Sequence, residues 1–294
     1  MDEVIHQLES AANPSLLRRI IAFPLTLMVI EFVAIVAVGT GFTQVAHMAL
    51  HKDDGAGYFL GALGLAVLLV LTWKALQRWL ERSDDREFAL AGASKELGLG
   101  LLFGFALFST MTGTVALLGG LEVLGLRGQG QLWAMLAMAV TSGTIEEILF
   151  RGILLRHLEK LIGTVGALAI TSALFGLSHI VNPGATWFSS FAIALEAGIL
   201  LGAAYLFTRR LWLAVGIHAA WNFTQGWVFS VPVSGGEAPL GLLITRRVGP
   251  DWLTGGDFGL EASVPALVMA TGAGVVLLVL AHRRGHFIAP MWRR

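Results

Sequence analysis

Stretches of about 20 apolar residues recur along nearly the whole chain, and they limit its possible folds more than any other feature. A helix of that length crosses the hydrocarbon core of a bilayer. Hydrophobic residues make up 55% of the 294 residues and charged residues only 14%, and the mean hydropathy is +0.73. Backbone polar groups in lipid must bond within the protein, which favours helices. The sequence therefore predicts an all-α, polytopic membrane protein.

We predict about eight transmembrane helices in a single transmembrane domain at 20–281. They are Ile20–Gly39, Tyr58–Leu76, Leu97–Gly119, Leu132–Leu155, Gly163–Ile180, Phe188–Phe207, Leu211–Phe229 and Ser263–Ala281. Residues 1–19 and 282–294 form terminal segments outside the membrane. The acidic N-terminal segment lacks the basic start and cleavage site of a secretory signal, so the first span is expected to act as an uncleaved signal.

Lys and Arg residues predict the orientation, because cytoplasmic loops carry most of the positive charge. With an even span count, the side that holds both termini carries Arg18, Arg19, Lys74, Arg78, Arg82, Arg86, Lys95, Arg156, Lys160, Arg209, Arg210, Arg283, Arg284, Arg293 and Arg294. The other side carries only Lys52, Arg127, Arg246 and Arg247. Both termini are therefore predicted to be cytoplasmic, and the Gly- and Ala-rich composition with short loops favours a bacterial cell membrane.

Several functional classes are disfavoured by composition. The net charge of +0 and the lack of a long basic run give no support to nucleic-acid binding, and a chain without cysteine forms no disulfide and uses no thiol catalysis. One long connection, 231–262, is rich in Gly and Pro. It is predicted to be a lid, a re-entrant segment or a solvated loop on the non-cytoplasmic side.

The fourth span contains Glu146, Glu147 and Arg151. Ionisable groups within a membrane usually mark a functional site, because burying them is costly unless they are paired or hydrated. On a helix Glu147 and Arg151 lie one turn apart on one face, whereas Glu146 points away from Arg151 by roughly 140°. We therefore expect Glu147 and Arg151 to form an ion pair. Glu146 is then free to face a cavity, where burial and its like-charged neighbour would make it a stronger base.

Two later spans carry polar pairs at the same four-residue spacing, Phe175 with His179 and His218 with Asn222. Taken alone, His179 is more often a buried structural histidine than a catalyst. His218 and Asn222 can both donate hydrogen bonds, which suits them to stabilising an oxyanion. The alternative for that pair is a hydrogen bond between helices. Counting residues along the helices places Glu146 and His218 near mid-membrane but His179 nearer the far side.

The order of these motifs resembles the CPBP family of intramembrane proteases, which comprises CAAX prenyl proteases and bacteriocin-processing or bacteriocin-immunity enzymes. The resemblance covers 140–225 and rests on Glu146-Glu147-x-x-x-Arg151, Phe175-x-x-x-His179 and His218-x-x-x-Asn222. It implies a CAAX-protease-like helical fold and an endopeptidase that acts on a membrane protein or peptide. The residues it implies are Glu146, His179, His218 and Asn222 as catalytic groups, with Glu147, Arg151 and Phe175 in support.

In the mechanism implied by the resemblance, Glu146 activates water with the help of His179. The oxyanion is held by His218 and Asn222, and no cofactor is required. Zinc is the alternative, because the family has also been described as metalloproteases, and its ligands would be Glu146, His179 and His218. The chain has no His-Glu-x-x-His pair, which favours the metal-free mechanism.

Two functions of other classes stay open at this stage. A proton- or ion-coupled transporter would use the buried Glu, His and Arg side chains as a relay, although no internal repeat supports it. A non-catalytic immunity factor would not need the catalytic residues. Two further buried carboxylates, Glu31 in the first span and Glu196 in the sixth, are candidates for either a structural or a functional role.

Overall fold

The computed structural model describes residues 15–49, 55–84 and 86–293. Most of the predicted N-terminal segment, together with Lys52 and Arg294, therefore lies outside the described residues. The helices are α1 (Leu16–Ile21), α2 (Pro24–Ala49), α3 (Ala56–Ala75), α4 (Ala93–Leu117), α5 (Leu132–Glu147), α6 (Arg156–Ser178), α7 (Trp187–Ile193), α8 (Ile199–Thr208), α9 (Trp212–Phe223), α10 (Asp251–Thr254) and α11 (Val264–Arg283). Short 3₁₀ turns lie at Leu260–Ala262 and Met291–Arg293.

Four of these helices continue into wider π-helical turns. They are Leu76–Glu81 after α3, Ile148–Leu155 after α5, Ala194–Gly198 between α7 and α8, and Thr224–Val228 after α9. Ile148–Leu155 contains Arg151, Ala194–Gly198 contains Glu196, and Thr224–Val228 follows His218 and Asn222. Such turns are frequent at functional sites, because they shift the direction of side chains relative to a regular helix.

Large apolar side chains face outward along the bundle, among them Leu60, Leu102 and Val276. Six helical segments of the described chain are long and apolar enough to cross a membrane: Pro24–Ala46, Ala56–Glu81, Ala93–Leu117, Leu132–Ser178, Trp187–Thr208 and Val264–Arg283. An apolar exterior of this kind is covered by lipid rather than water. The protein is a multi-pass helical membrane protein.

The predicted count of eight spans is not confirmed, although all eight predicted segments lie largely within helices. The fourth and fifth meet at Gly163, where the non-helical φ of 76° and ψ of 168° separate two helices that follow each other without a loop. The seventh is shorter than the rest, because α9 has 12 residues and the turn after it only five. The first helix of membrane length begins at Pro24 rather than at Ile20.

Small residues let α9 approach its neighbours closely, as is common between membrane helices. A Cβ atom added to Gly104 of α4 would lie 2.4 Å from the carbonyl oxygen of Ile217, so only glycine fits there. On the other side, a Cβ atom at Gly143 of α5 would lie 3.1 Å from the backbone nitrogen of Ala219. These contacts bring the end of α5 next to the middle of α9.

The fold contains one feature that the all-α prediction omitted. Strands β1 (Leu121–Leu126) and β2 (Leu243–Arg247) pair antiparallel, with an irregularity between Val123 and Gly125. An exposed pair, Arg246 Nη2 and Glu122 Oε2 at 2.6 Å, joins the two strands. The ribbon ties the connection after α9 to the connection between α4 and α5.

The long connection 231–262 is packed against the bundle and is not a solvated loop. Val231, Phe258, Leu260 and Glu261 in this segment are buried. The Gln225 side chain donates to the carbonyl of Pro232 at 2.5 Å, which fixes the start of the connection to the end of α9. The segment therefore covers that side of the bundle.

Basic residues gather at the opposite end of the bundle. The Arg18 side chain donates to the Leu80 carbonyl at 2.9 Å, and Lys74 donates to the Phe88 carbonyl at 3.0 Å. Arg209 pairs with Glu159 at 2.5 Å. These contacts define the basic end of the bundle, where α6 begins.

Candidate active site

A cavity of about 400 Å³ lies where the ends of α5 and α6, the middle of α9 and the connection after α9 meet. Its lining includes Glu146, His179, His218, Asn222, Ser234 and Glu237. The structure thus brings together the four residues predicted to be catalytic. They come from three helices, and Glu146 and Asn222 are 76 positions apart in the sequence, so the tertiary fold is what gathers them.

The two adjacent carboxylates of α5 lie in different surroundings. The Glu147 side chain is fully buried, and its Oε1 accepts a hydrogen bond from Arg151 Nη1 at 2.9 Å. The Glu146 side chain is 30% exposed and reaches the cavity. Glu147 is therefore an internal counter-charge, whereas Glu146 is available to water and to a ligand.

His218 joins these two carboxylates. Its Nδ1 lies 2.8 Å from Glu147 Oε1, and its Nε2 lies 3.9 Å from Glu146 Oε2. A carboxylate only accepts hydrogen bonds, so Nδ1 is the protonated ring nitrogen of neutral His218. The Nε2 of neutral His218 is then an acceptor, and it becomes a donor only when the ring gains a second proton.

His179 follows the last residue of α6, and its ring orientation is fixed locally. Its Nδ1 lies 2.7 Å from the carbonyl oxygen of Phe175, one turn earlier. A carbonyl also only accepts, so Nδ1 carries the hydrogen and Nε2 of the neutral ring is free to accept a proton. This tautomer suits a base or a group that orients water.

Asn222 is held through α5. Its side-chain nitrogen donates to the Ser142 hydroxyl at 3.0 Å, which leaves the second N–H of the amide for another acceptor. Ser142 lies one turn before Glu146, so this hydrogen bond sets the position of Asn222 relative to Glu146. Sequence reasoning did not identify Ser142, although its place one turn from Glu146 on a helix was a usable signal.

The Phe175 ring packs at the centre of the charged groups. It lies 4.5 Å from the Arg151 guanidinium carbon, and its centroid lies 4.9 Å from that of His179 and 6.2 Å from that of His218. The Arg151 side chain also donates to the Ala197 carbonyl at 2.9 Å, which links the site to α7 and α8. Phe175 and Arg151 therefore support the two histidines from behind.

A second and larger cavity of about 820 Å³ adjoins the first. Most of its wall is apolar and belongs to α2, α3 and α5. Met135, Met138, Ser142, Glu237 and Pro239 line both cavities. A ligand with an apolar part could therefore extend from the polar cavity into the apolar one.

Glu31 lies in a different polar cluster, at the basic end of the bundle. His157 Nε2 is 2.9 Å from Glu31 Oε2, and Arg156 Nη2 is 3.0 Å from the same oxygen and also pairs with Glu81. We call Glu31, Glu81, Arg156 and His157 the basic-end network. The part of the chain that the structure describes holds three potential metal ligands within 4.8 Å of one another only here, at Glu31, Glu81 and His157. The guanidinium of Arg156 already neutralises these carboxylates, so the cluster is an ion-pair network and does not fit a metal ion.

Glu196, in contrast, lies beside the candidate site. It is in the π-helical turn between α7 and α8 and lines a small cavity with His179, His218 and Glu261. Glu261 comes from the connection after α9, and the backbone N–H of Ser234 donates to it. Burial raises the pKa of the Glu261 carboxyl to about 7, although hydrogen bonds from Ser234 and Gln225 oppose that shift. Sequence reasoning missed Glu261, because it falls in a segment without helical periodicity.

Residues 128–224 match the family described as type II CAAX prenyl endopeptidase Rce1-like. The matched region includes all three motifs and every residue predicted to be catalytic. No curated protein and no solved structure matches the chain. The match of residues 128–224, about a third of the chain, supports a CPBP-type intramembrane protease and indicates a peptidase.

Proposed function

We propose that the protein is a glutamic intramembrane endopeptidase that cleaves a membrane-associated protein or peptide. The observation that carries this proposal is the convergence of Glu146, His179, His218 and Asn222 on one cavity. The cavity contains an available carboxylate, two imidazoles with fixed ring orientation and an amide donor. These are the groups that hydrolysis of a peptide bond requires.

The hydrogen-bond donors and acceptors of the site support a separate role for each catalytic residue. Glu146 takes a proton from the attacking water, and the free Nε2 of His179 helps to orient that water. As hydroxide adds to the carbonyl carbon, Asn222 and the imidazolium form of His218 donate to the oxyanion. Glu146 then returns its proton to the leaving nitrogen, so the carboxylate is restored and no proton is consumed.

Glu147 supports the role of His218 in this scheme. Nε2 donates to an oxyanion only in the doubly protonated ring, and the Glu147 carboxylate at Nδ1 stabilises that charge. Arg151 pairs with Glu147 and holds its side chain in place. We therefore assign Glu147 and Arg151 as positioning residues, whose loss would affect His218 rather than the attacking water.

The experiment uses purified full-length protein in lipid nanodiscs with a mixture of unmodified peptides, and mass spectrometry to detect products. Glu146→Gln, which keeps the shape of the side chain, is expected to lower the cleavage rate by about 10²–10⁴, the usual contribution of a general base. The matched control is Glu122→Gln, an exposed carboxylate of the ribbon, for which cleavage should not change. Cleavage by Glu146→Gln at the parent rate would refute the mechanism.

A zinc-dependent reaction is the second candidate. Both histidines have Nδ1 fixed by an acceptor and leave Nε2 available, an arrangement common in zinc ligands. Glu146, His179 and His218 would hold the ion, which would supply Lewis-acid activation of water. We expect the metal-free mechanism, in which 1,10-phenanthroline leaves activity unchanged and elemental analysis finds no stoichiometric zinc. Stoichiometric zinc that is lost together with activity would favour the second candidate.

We also propose that the termini and the basic end face the cytoplasm of a bacterial cell membrane and that the catalytic cavity opens on the opposite side. The support is that Glu237 and Pro239 at the cavity lie in the connection 231–262, at the opposite end of the bundle from the basic end. Because the chain contains no cysteine, single-cysteine labelling is direct. A membrane-impermeant maleimide on intact cells should label Glu237→Cys but not Ser83→Cys at the basic end. The reverse pattern would invert the orientation.

A further inference from the structure

A small cavity is lined by the two histidines of the candidate site. His179, His218, Asn222 and Ser234 line both this cavity and the catalytic one, so the two are contiguous. Its volume is only about 30 Å³. Since one water needs roughly 10–15 Å³ on this measure, it fits a short row of atoms but no ring.

The polar groups of this cavity are acidic and incompletely paired. Glu196 is 1% exposed, and neither carboxylate oxygen has a hydrogen-bond partner among the described residues. Glu261 is 2% exposed and accepts the Ser234 N–H. Among the residues that the structure describes, no Lys or Arg lines the cavity. The Arg151 guanidinium is directed to Glu147 and to the Ala197 carbonyl.

The rest of the wall is apolar and is formed by Ile193, Leu200, Leu201, Ile217, Trp221 and Ala270, among others. Two buried carboxylates without a cation are costly, and a cation placed between them would offset that cost. Apolar walls that lead to a carboxylate pair fit an ammonium group on a hydrocarbon stem. The planar fork of a guanidinium is wider than an ammonium group and fits a narrow cavity less well.

We propose that the cavity lined by Glu196 and Glu261 is a specificity pocket for a primary alkylammonium group, supplied by a lysine side chain of the substrate next to the scissile bond. This inference rests on the proposed peptidase function, because it places the bound residue beside the catalytic groups. The carboxylates would select the substrate and take no part in bond cleavage.

Binding is tested without reference to catalysis. n-Butylammonium chloride is added to the full-length protein in nanodiscs, and thermal stability is followed with n-butanol and potassium chloride as matched additives. Butylammonium alone should raise the melting temperature. Its apparent affinity should fall about ten-fold or more in Glu196→Gln and in Glu261→Gln, since each removes a hydrogen bond between charged groups. It should be unchanged in Glu122→Gln. Equal effects of butylammonium and butanol on the melting temperature of the parent protein would refute the proposed ammonium pocket.

The source of the ammonium group is tested with paired peptides that differ only by lysine or norleucine at each position beside the scissile bond. The parent should cleave the lysine peptide at least about ten-fold faster at one position. That ratio should collapse in Glu196→Gln and in Glu261→Gln but not in Glu122→Gln. Cleavage of both peptides at equal rates would overturn the inference while leaving the peptidase intact. Failure of the parent to cleave any peptide faster than Glu146→Gln would instead refute the proposed function and, with it, this use of the pocket.

Discussion

The bundle buries two polar clusters, and they differ in what their charges face. In the basic-end network, Arg156 lies among Glu31, Glu81 and His157, so each charge meets an opposite charge of the same protein. At the candidate site, Glu146 is part-exposed, and the carboxylate of the neighbouring Glu196 has no hydrogen-bond partner within the described part of the chain. Both clusters contain buried ionisable side chains, and burying such groups is costly unless they are paired or hydrated. Burial alone therefore does not separate the two clusters, whereas access to a cavity does.

The largest expected effect is a loss of stability when the basic-end network loses its arginine. Arg156→Met should destabilise the protein by about 3–5 kcal/mol, because it leaves the Glu31 and Glu81 carboxylates buried without a counter-charge. Thermal unfolding in detergent measures this loss. Arg246→Met, at an exposed pair of the ribbon, is the control and should change stability by less than about 1 kcal/mol. An unchanged melting temperature for Arg156→Met would remove the distinction between the clusters.

The next effect is on catalysis at the candidate site. Asn222→Ala should lower kcat by about 10²–10³, the usual cost of losing one oxyanion donor, with little change in melting temperature. Ser142→Ala removes only the acceptor that positions Asn222 and should cost less. Steady-state kinetics on a peptide substrate gives both values. A stability loss in Asn222→Ala without a loss of kcat would make Asn222 a structural residue.

The third effect concerns pH and Glu261. Its pKa of about 7 in the folded protein exceeds its ordinary value of 4.5, so the folded state binds the proton more tightly. The stability of the parent should therefore fall as pH rises from about 4.5 to 7 and stay low above that range. Glu261→Gln should be more stable than the parent at pH 8, by up to about 3 kcal/mol, and should show no such gain at pH 4.

The titratable groups that face Glu261 are His179, His218 and Glu196, which line the same cavity. All three are present in parent and variant, so the difference in melting temperature at each pH isolates Glu261. The profile is recorded from pH 4 to pH 8 in one detergent. A gain that is equal at pH 4 and pH 8 would mean that ionisation of Glu261 is not its cause.

The smallest effect tests how closely the helices around the site pack. A Cβ atom at Gly176 of α6 would lie 2.2 Å from the Ser190 carbonyl oxygen, so Gly176→Ala should cost about 1–3 kcal/mol. At Gly113 of α4 nothing lies within 4 Å of the added atom. Gly113→Ala should therefore stabilise its helix by up to about 1 kcal/mol. Equal changes in melting temperature for the two variants would contradict the close approach of α6 and α7.

Much of the fold follows from local sequence. Long apolar runs predict membrane helices because hydrocarbon leaves the backbone few alternatives. The four-residue spacing of Glu147 and Arg151 predicts the contact observed between them, because one helical turn separates the two side chains. The count of spans was harder, since two helices meet at Gly163 without a loop between them. The ribbon was missed because strand pairing joins Leu121–Leu126 and Leu243–Arg247 across more than a hundred residues.

The sequence by itself determined that the protein lies in lipid, that it is helical, and which residue types are able to carry out hydrolysis. Each of these depends on composition or on spacing within one helix. The tertiary structure decided which of those residues meet. It placed Glu31 in an ion-pair network and Glu196 beside the histidines, although both are single carboxylates in apolar helices. It also brought Glu261 to the site from an irregular segment. The physical reason is that contacts between helices depend on bends, π-helical turns and glycine-sized gaps, whose positions a local pattern does not contain.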